Sequence, residues 1–547
     1  MLRAVVAASF CSAIALAQTN FPPPPAPANN PPNPQKVLLG MALFFEEQLS
    51  STGTVACASC HDFASGGGDP RAITAHHPGH DGVFGTADDK RGSPGVATIQ
   101  ANGTLTPNQH HGFGPNVTPR RAPTVVNSGY HTLLAYDGSR TSLEALIAVP
   151  PLNTVEMGHA GRTWNDVAQK IANATPLLFA SDLPARLQTF VAGRTYPQLF
   201  QLAFGATTVN QTTIVQAIAS YLRTLNSDRS RWDLFLHGLV QLTAEEQLGF
   251  QLFTTPANGA TSCRTCHNDF DQSVLVEGPV VGQMTMTTVG YYGSPQPTRL
   301  LFHNIGLRPP VEDPGRQGVS GFPIDAGKFR VASLRNVGLS APYFHNGSAS
   351  TLRDVLDFYD RGGDFHVNQA PSLTPRGYTD EEKDAIVALL EMLTDPRLAA
   401  GVMPFDRPTL GAMNFRHATP VGQSDVTAAG TLVARAPFAP RLGEAWFRLT
   451  LTGATPGVPT FLMWDTAIGP GTAPFNIGLG LTPAFQMFAT GLAQGAPTMN
   501  TGFAQVPVPL PANPALSGQH LYAQWLVLEP SAQWPFASSN GLYIPLR

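Results

Sequence analysis

Four of the five cysteines in this chain fall in two copies of one pentapeptide, Cys57-Ala58-Ser59-Cys60-His61 and Cys263-Arg264-Thr265-Cys266-His267. Thiols at i and i+3 and an imidazole at i+4 share one face of a single helical turn. That is the geometry of covalent haem c attachment: both thiols bond the porphyrin and the histidine ligates its iron from one side. Two Cys-x-x-Cys pairs could instead make one four-thiolate zinc site, but the histidine after each pair would then have no role. Two short disulfides are a second alternative, and loops that tight are strained. The chain must therefore wrap two porphyrins, with Cys57, Cys60, His61, Cys263, Cys266 and His267 as attachment and proximal-ligand residues.

The first residues read as an export signal. Arg3 precedes an apolar run from Ala4 to Ala15, and Ala15-Leu16-Ala17 is a small-x-small cleavage site, which makes residues 1–17 the signal and removes Cys11 with it. No later stretch is apolar for long enough to cross a bilayer, so a periplasmic or otherwise extracytoplasmic protein without a transmembrane anchor is expected. Charged residues make up 13% of the chain and the net charge is −4, which leaves no nucleic-acid footprint. A chain of 547 residues is long enough for about three domains.

Residues 18–35 are proline-rich and expected to form an extended, mobile linker. An internal repeat follows. Leu39-Gly40-Met41-Ala42-Leu43-Phe44 precedes the first pentapeptide and Leu248-Gly249-Phe250-Gln251-Leu252-Phe253 the second, both with apolar residues at helical spacing. Thr243 and Thr379 open capping boxes, Ile214–Leu225 is amphipathic, Thr351–Tyr359 is a short helix, and Pro396 is expected to end the helix begun at Thr379. After about residue 405 apolar and polar positions alternate, as in Glu444–Thr452 and Leu521–Leu528. The expected fold class is mainly α: two tandem cytochrome-c-like haem domains, 36–228 and 229–400, followed by a β-sandwich-like accessory domain, 405–547.

Several ordered segments go beyond the pentapeptides: LSSTGTVACASCHDFASGGGD, RRAPTVVN and NTVEMG around the first, and KFRVASLRNVGLSAPYFHNGSASTLRDVLDFYDRGGDF (328–365) after the second. Over about residues 37–395 the chain resembles the bacterial dihaem cytochrome c peroxidases and their MauG relatives. The resemblance implies a peroxidatic haem on His61, an electron-transfer haem on His267, and Glu156 as the distal carboxylate that moves a proton between the peroxide oxygens. It offers His77, sixteen residues after His61 and flanked by His76 and His80, as a displaceable distal iron ligand. Where peroxidase members have a methionine ligand to the second haem, this chain has Tyr359, as MauG-like members do. A phenolate favours oxidised iron far more than a thioether does. Met284 or Met286 is the alternative ligand.

Two departures qualify the resemblance. The tryptophan expected between the haems is Tyr136, whose oxidation releases a proton. The glutamine of the peroxide pocket aligns with Leu146, which cannot hydrogen-bond. The family also implies an inter-domain calcium with Ser340 and Pro342 as ligands, but the asparagine that would join them aligns with Arg121. His345 is expected to pair with a haem propionate or with backbone. A long insertion, 78–119, carries an acidic loop, Asp81 to Asp89, that could hold another calcium.

The function implied is reduction of hydrogen peroxide with electrons from a small donor protein, a cytochrome c or a cupredoxin. The alternatives are MauG-like oxidation of a protein or organic substrate and, in a different class, a dihaem electron carrier without catalysis. A third class treats the haem region as a sensor or scaffold displayed by the β module.

Overall fold

The structure, a computed structural model, describes residues 23–256 apart from 113, residues 261–267 and 302–411, and a discontinuous set of strands between 419 and 546. The expected signal segment and Met284 and Met286 lie outside the described residues. Two helical cores and one sheet core gather most of the buried apolar side chains among the described residues.

Each helical core is built on one helix crossing, and the repeated Leu-Gly pair marks it. The helix Pro34–Phe44 starts where the Asn33 side chain accepts the backbone N–H of Gln35 and Lys36, with proline at its first position. It crosses Gln211–Leu222 at Gly40, where an added Cβ would lie 1.9 Å from the Ala217 carbonyl oxygen. In the second core, Ala244–Thr254 crosses Asp380–Glu391 at Gly249, and a Cβ there would lie 2.0 Å from Ala385 O. Only glycine lets the two backbones come this close. The expected capping boxes are present: Thr243 pairs with Glu246 and Thr379 with Glu382. Leu39, Phe44, Phe200, Ile218 and Tyr221 fill the first core, and Trp232, Phe253, Leu356, Ile386 and Leu389 the second. Burying each such side chain contributes about 1.5–3 kcal/mol.

Two expectations are corrected. The proline-rich segment is not a mobile linker over residues 24–33. Asn30 is buried and donates to Glu144 Oε1 and to Gln216 O, both at 3.0 Å, and Arg223 Nε donates to Pro25 O at 3.1 Å. Proline-rich backbone leaves its carbonyls unpaired, and two of this strap's are satisfied by the helix Gln211–Leu222 and its C-cap, Asn29 O by Gln216 Nε2 at 2.9 Å and Pro25 O by Arg223. Pro396 does not end the Asp380–Glu391 helix. It opens a separate turn, Pro396–Ala400, capped by Asp395.

Most of the described C-terminal strands form two antiparallel sheets, with two small hairpins beside them. One runs Val433–Arg435, Arg448–Ala454, Met499–Pro507, Gln494–Ala496. The other runs Gln486–Leu492, Pro459–Asp465, His520–Leu528, Gly541–Pro545, Thr419–Val421, with Phe536–Ser538 added on His520–Leu528. Both sheets feed one core around Leu449, Leu451, Trp525 and Val527. Ala97, Ile99 and Leu105 of the insertion enter the same core, so the insertion fastens the sheets to the helical part. The connecting segment is fastened too: Arg186 pairs with Asp406, and Gly411 N donates to Glu47 Oε2 at 2.8 Å.

Candidate functional site

Both pentapeptides fold into one tight turn. Cys57–Cys60 is α-helical and Cys263–Thr265 is 3₁₀. In each, the histidine backbone N–H closes on the first cysteine, His61 on Cys57 O at 3.2 Å and His267 on Cys263 O at 2.9 Å. No disulfide joins the four cysteines, which leaves their sulfurs available for thioether bonds. No cluster of three or more ligating side chains occurs among the described residues, which removes the joint zinc site. His61 Nδ1 lies 3.2 Å from Gly67 O, and this contact leaves Nε2 with the lone pair. For His267 the facing backbone is that of Ala332, at a range where Nδ1 closes no hydrogen bond. Burial lowers the pKa of both imidazoles, that of His267 to about 4, which favours the neutral form that ligates iron.

The second pentapeptide opens onto a cavity of about 270 Å³ whose wall includes Cys263, Cys266, His267, His303, Tyr359 and Arg376. Tyr359 reaches it from Leu352–Asp360, a helix capped by Thr351. Burial pushes its hydroxyl above the ordinary phenol value, the cysteines push the same way, and Arg376 opposes both. Among the described residues Arg376 is the cation that acts on this buried phenol, a setting that suits an oxygen ligand to iron. Thiols, an imidazole and a phenol lining one cavity fit a haem c.

Around the first pentapeptide the chain supplies a carboxyl and a cation. Glu156 acts electrostatically on both Cys57 and Cys60. Its Oε2 is buried without a hydrogen-bond partner, and burial raises its pKa, with only the Asn153 side chain opposing. A hairpin, Pro94–Ala97 with Pro115–Val117, fixes its position. Val96 N donates to Glu156 O at 3.0 Å, and Gly95 packs so closely that a Cβ would lie 1.9 Å from Val155 O. Arg71 sits 3.3 Å from Cys60 Sγ and pairs with Asp69. Sequence reasoning missed Arg71, Arg376 and the hairpin's role, because each acts across a fold contact and belongs to no motif.

Between the two sites the molecule repeats itself. Asn127 and Asn336 both have φ of 60°, Ala135 and Phe344 have 63° and 64°, and matching bridges join Leu134 to Arg140 and Tyr343 to Ala349. In this register Tyr136 matches His345, and Arg121 matches Arg330. The pairs interlock: Arg330 N donates to Tyr136 O at 2.7 Å and Arg121 N to His345 O at 2.9 Å. The Tyr136 and His345 rings meet edge to face at 6.3 Å, and His345 stacks on Phe329 at 3.7 Å. Arg120 seals the rim by gripping Asp313 at 2.6 and 2.8 Å and Asp137 at 2.7 Å.

The expected calcium ligands are placed otherwise. The Ser340 and Pro342 carbonyls both accept from Arg121 Nη1, so the donor set does not fit calcium. His77 lies on a two-residue strand paired with Lys90–Arg91. Burial pulls its pKa to about 4, with Lys90, His111 and His110 adding to the effect. The groups acting on it belong to the insertion, not to the Glu156 site. The acidic loop turns its carboxylates inward. Asp88 accepts from the backbone of His80 and Asp81, and Asp89 from Gly85 N. Leu146, on Leu143–Ile147, packs against the first core.

Comparison with known proteins agrees with this arrangement. A profile of the di-haem cytochrome c peroxidase family matches residues 34–241. A cytochrome-c peroxidase of Denitromonas iodatirespirans is 30% identical over 409 residues, covering 70% of this chain and 90% of that protein. The methylamine utilization protein MauG of Methylorubrum extorquens is 28% identical over 375 residues, 68% of this chain and 81% of that protein. Among solved structures, a MauG-like protein associated with microbial copper homeostasis superposes with a TM-score of 0.52 at 26% identity, over 72% of this chain and 98% of that one.

Proposed function

Since the chain belongs to the dihaem cytochrome c peroxidase and MauG family and is a dihaem oxidoreductase, we propose that it reduces hydrogen peroxide outside the cytoplasm with electrons from a cytochrome c or a cupredoxin. The observation that carries this reading is the buried, unpartnered Glu156 Oε2 beside the first thiol pair. The haems, when bound, supply irons that accept and pass single electrons, one of them open to peroxide.

The chain's own residues divide the remaining work. Glu156 takes a proton at Oε2 and returns it, and its site keeps that proton shielded from water. The Gly67 carbonyl holds the His61 ring in the ligating tautomer. Tyr136 and His345 fill the space between the sites with polarisable rings. Tyr359 gives the second site an oxygen donor, which favours its oxidised state. The whole reaction takes up two electrons and two protons per peroxide and releases two waters.

The haem-loaded protein is expected to oxidise two equivalents of reduced donor per peroxide consumed, followed by donor absorbance. No peroxide-dependent donor oxidation with either donor type would overturn the reading. Tyr359 in the second cavity and Leu146 in place of a hydrogen-bonding residue support a second reading, MauG-like oxidation of a protein or organic substrate. Sluggish donor turnover together with peroxide-dependent oxidation of an added organic reductant would favour it.

A further inference from the structure

The joint between the two helical cores contains a cation that the chain supplies itself. Arg121 Nη1 donates to the carbonyl oxygens of both Ser340 and Pro342. Its Nε donates to Tyr136 Oη at 3.1 Å, and its backbone N–H donates to His345 O at 2.9 Å. One residue therefore bonds three groups of the 340–345 loop and the phenol facing them. The repeat supplies its counterpart. Arg330 occupies the matching place in the second half, with Nη1 3.5 Å from His131 Nδ1 and Nε 3.4 Å from Ala135 O.

Two convergent carbonyls are the beginning of a calcium site, which needs about six to eight oxygens, some of them from side chains and water. Arg121 contributes no oxygen. It brings five N–H donors and a permanent positive charge, which satisfies the carbonyls directly and repels a divalent ion. The neighbouring Arg120 already engages the carboxylates of Asp313 and Asp137.

We propose that Arg121 is the resident cation of this joint. It takes the place of the inter-domain calcium expected of the family, frees the joint from divalent metal, and positions the Tyr136 hydroxyl as a hydrogen-bond acceptor. Arg121 cannot take a proton from Tyr136. Tyr136 is thus held as a fixed spacer between the sites, with no base in its arginine partner.

The test uses ferric, haem-loaded protein without peroxide, so its outcome is independent of the peroxidase reading. Metal analysis of the wild type after dialysis against calcium is expected to find no calcium bound at this joint, and the melting temperature is expected to be the same in calcium and in EDTA. Arg121→Asn restores an oxygen donor and removes the charge. It is expected to melt about 4 °C or more below wild type in EDTA and to recover with millimolar calcium. Arg121→Lys, which keeps the charge, is expected to stay calcium-indifferent. One calcium per wild-type chain, a wild-type melting temperature that falls in EDTA, or an Arg121→Asn protein that ignores calcium would each overturn the proposal. If Arg121→Asn does not fold, the wild-type metal analysis decides alone.

Discussion

Replacing Glu156 with glutamine is expected to lower kcat/KM for hydrogen peroxide by about 10²–10⁴-fold, the range found when a positioned general acid–base is removed. That corresponds to about 2.7–5.5 kcal/mol of lost transition-state stabilisation. Glutamine keeps the size of the side chain and its backbone anchors at Val96 and Gly95, but it cannot carry a proton. The visible spectrum and the KM for the donor protein are expected to stay unchanged, which separates a lost proton carrier from a damaged fold. The pH profile supplies an independent check. Glu156 must be ionised to accept a proton, and burial raises its pKa, so activity is lost as pH falls through a value above the ordinary carboxylate range. The variant is expected to lose that acid limb. Wild-type kinetics in Glu156→Gln would show that another group moves the proton.

Replacing Tyr359 has the second-largest expected effect, on potential more than on rate. Axial ligand identity sets haem potentials over a range of about 0.8 V. Exchange of an oxygen ligand for a thioether in Tyr359→Met is expected to raise the potential of one haem by on the order of 100 mV or more, read by spectroelectrochemistry. The other haem is expected to be far less affected, because Tyr359 lines the cavity that holds the second pentapeptide. Tyr359→Phe, with the same ring and no oxygen, is expected to change one of the two ferric signals in electron paramagnetic resonance. Two unchanged signals would remove Tyr359 from the ligand set and leave it a core aromatic.

Local features were legible in the sequence because local geometry produces them. A Cys-x-x-Cys-His run can bring three ligands together within a single turn, and it does so twice. Capping boxes at Thr243 and Thr379 need only three residues, and both are present. The repeated Leu-Gly pair turned out to be the crossing point of each helical core, a packing consequence that periodicity alone does not reveal.

What stayed hidden depends on contacts between distant segments. Arg121 reads as a failed metal ligand in sequence, yet the fold brings it onto the carbonyls that a metal would need. His77 has suitable spacing from His61, but the insertion pairs it with Lys90 and surrounds it with His110 and His111. The same insertion fixes Glu156 at one end and enters the sheet core at the other, two roles that its composition does not signal. The proline-rich strap is mobile in composition but anchored by Asn30 and Arg223 in the fold.

On the proposed function, both pentapeptides hold redox-active haem and the first admits peroxide. Anaerobic titration of the fully reduced, haem-loaded protein with hydrogen peroxide tests it most directly. One peroxide per chain is expected to oxidise both haems, since peroxide takes two electrons and each iron gives one. Haems that remain reduced under excess peroxide, as in a simple electron carrier, would contradict it.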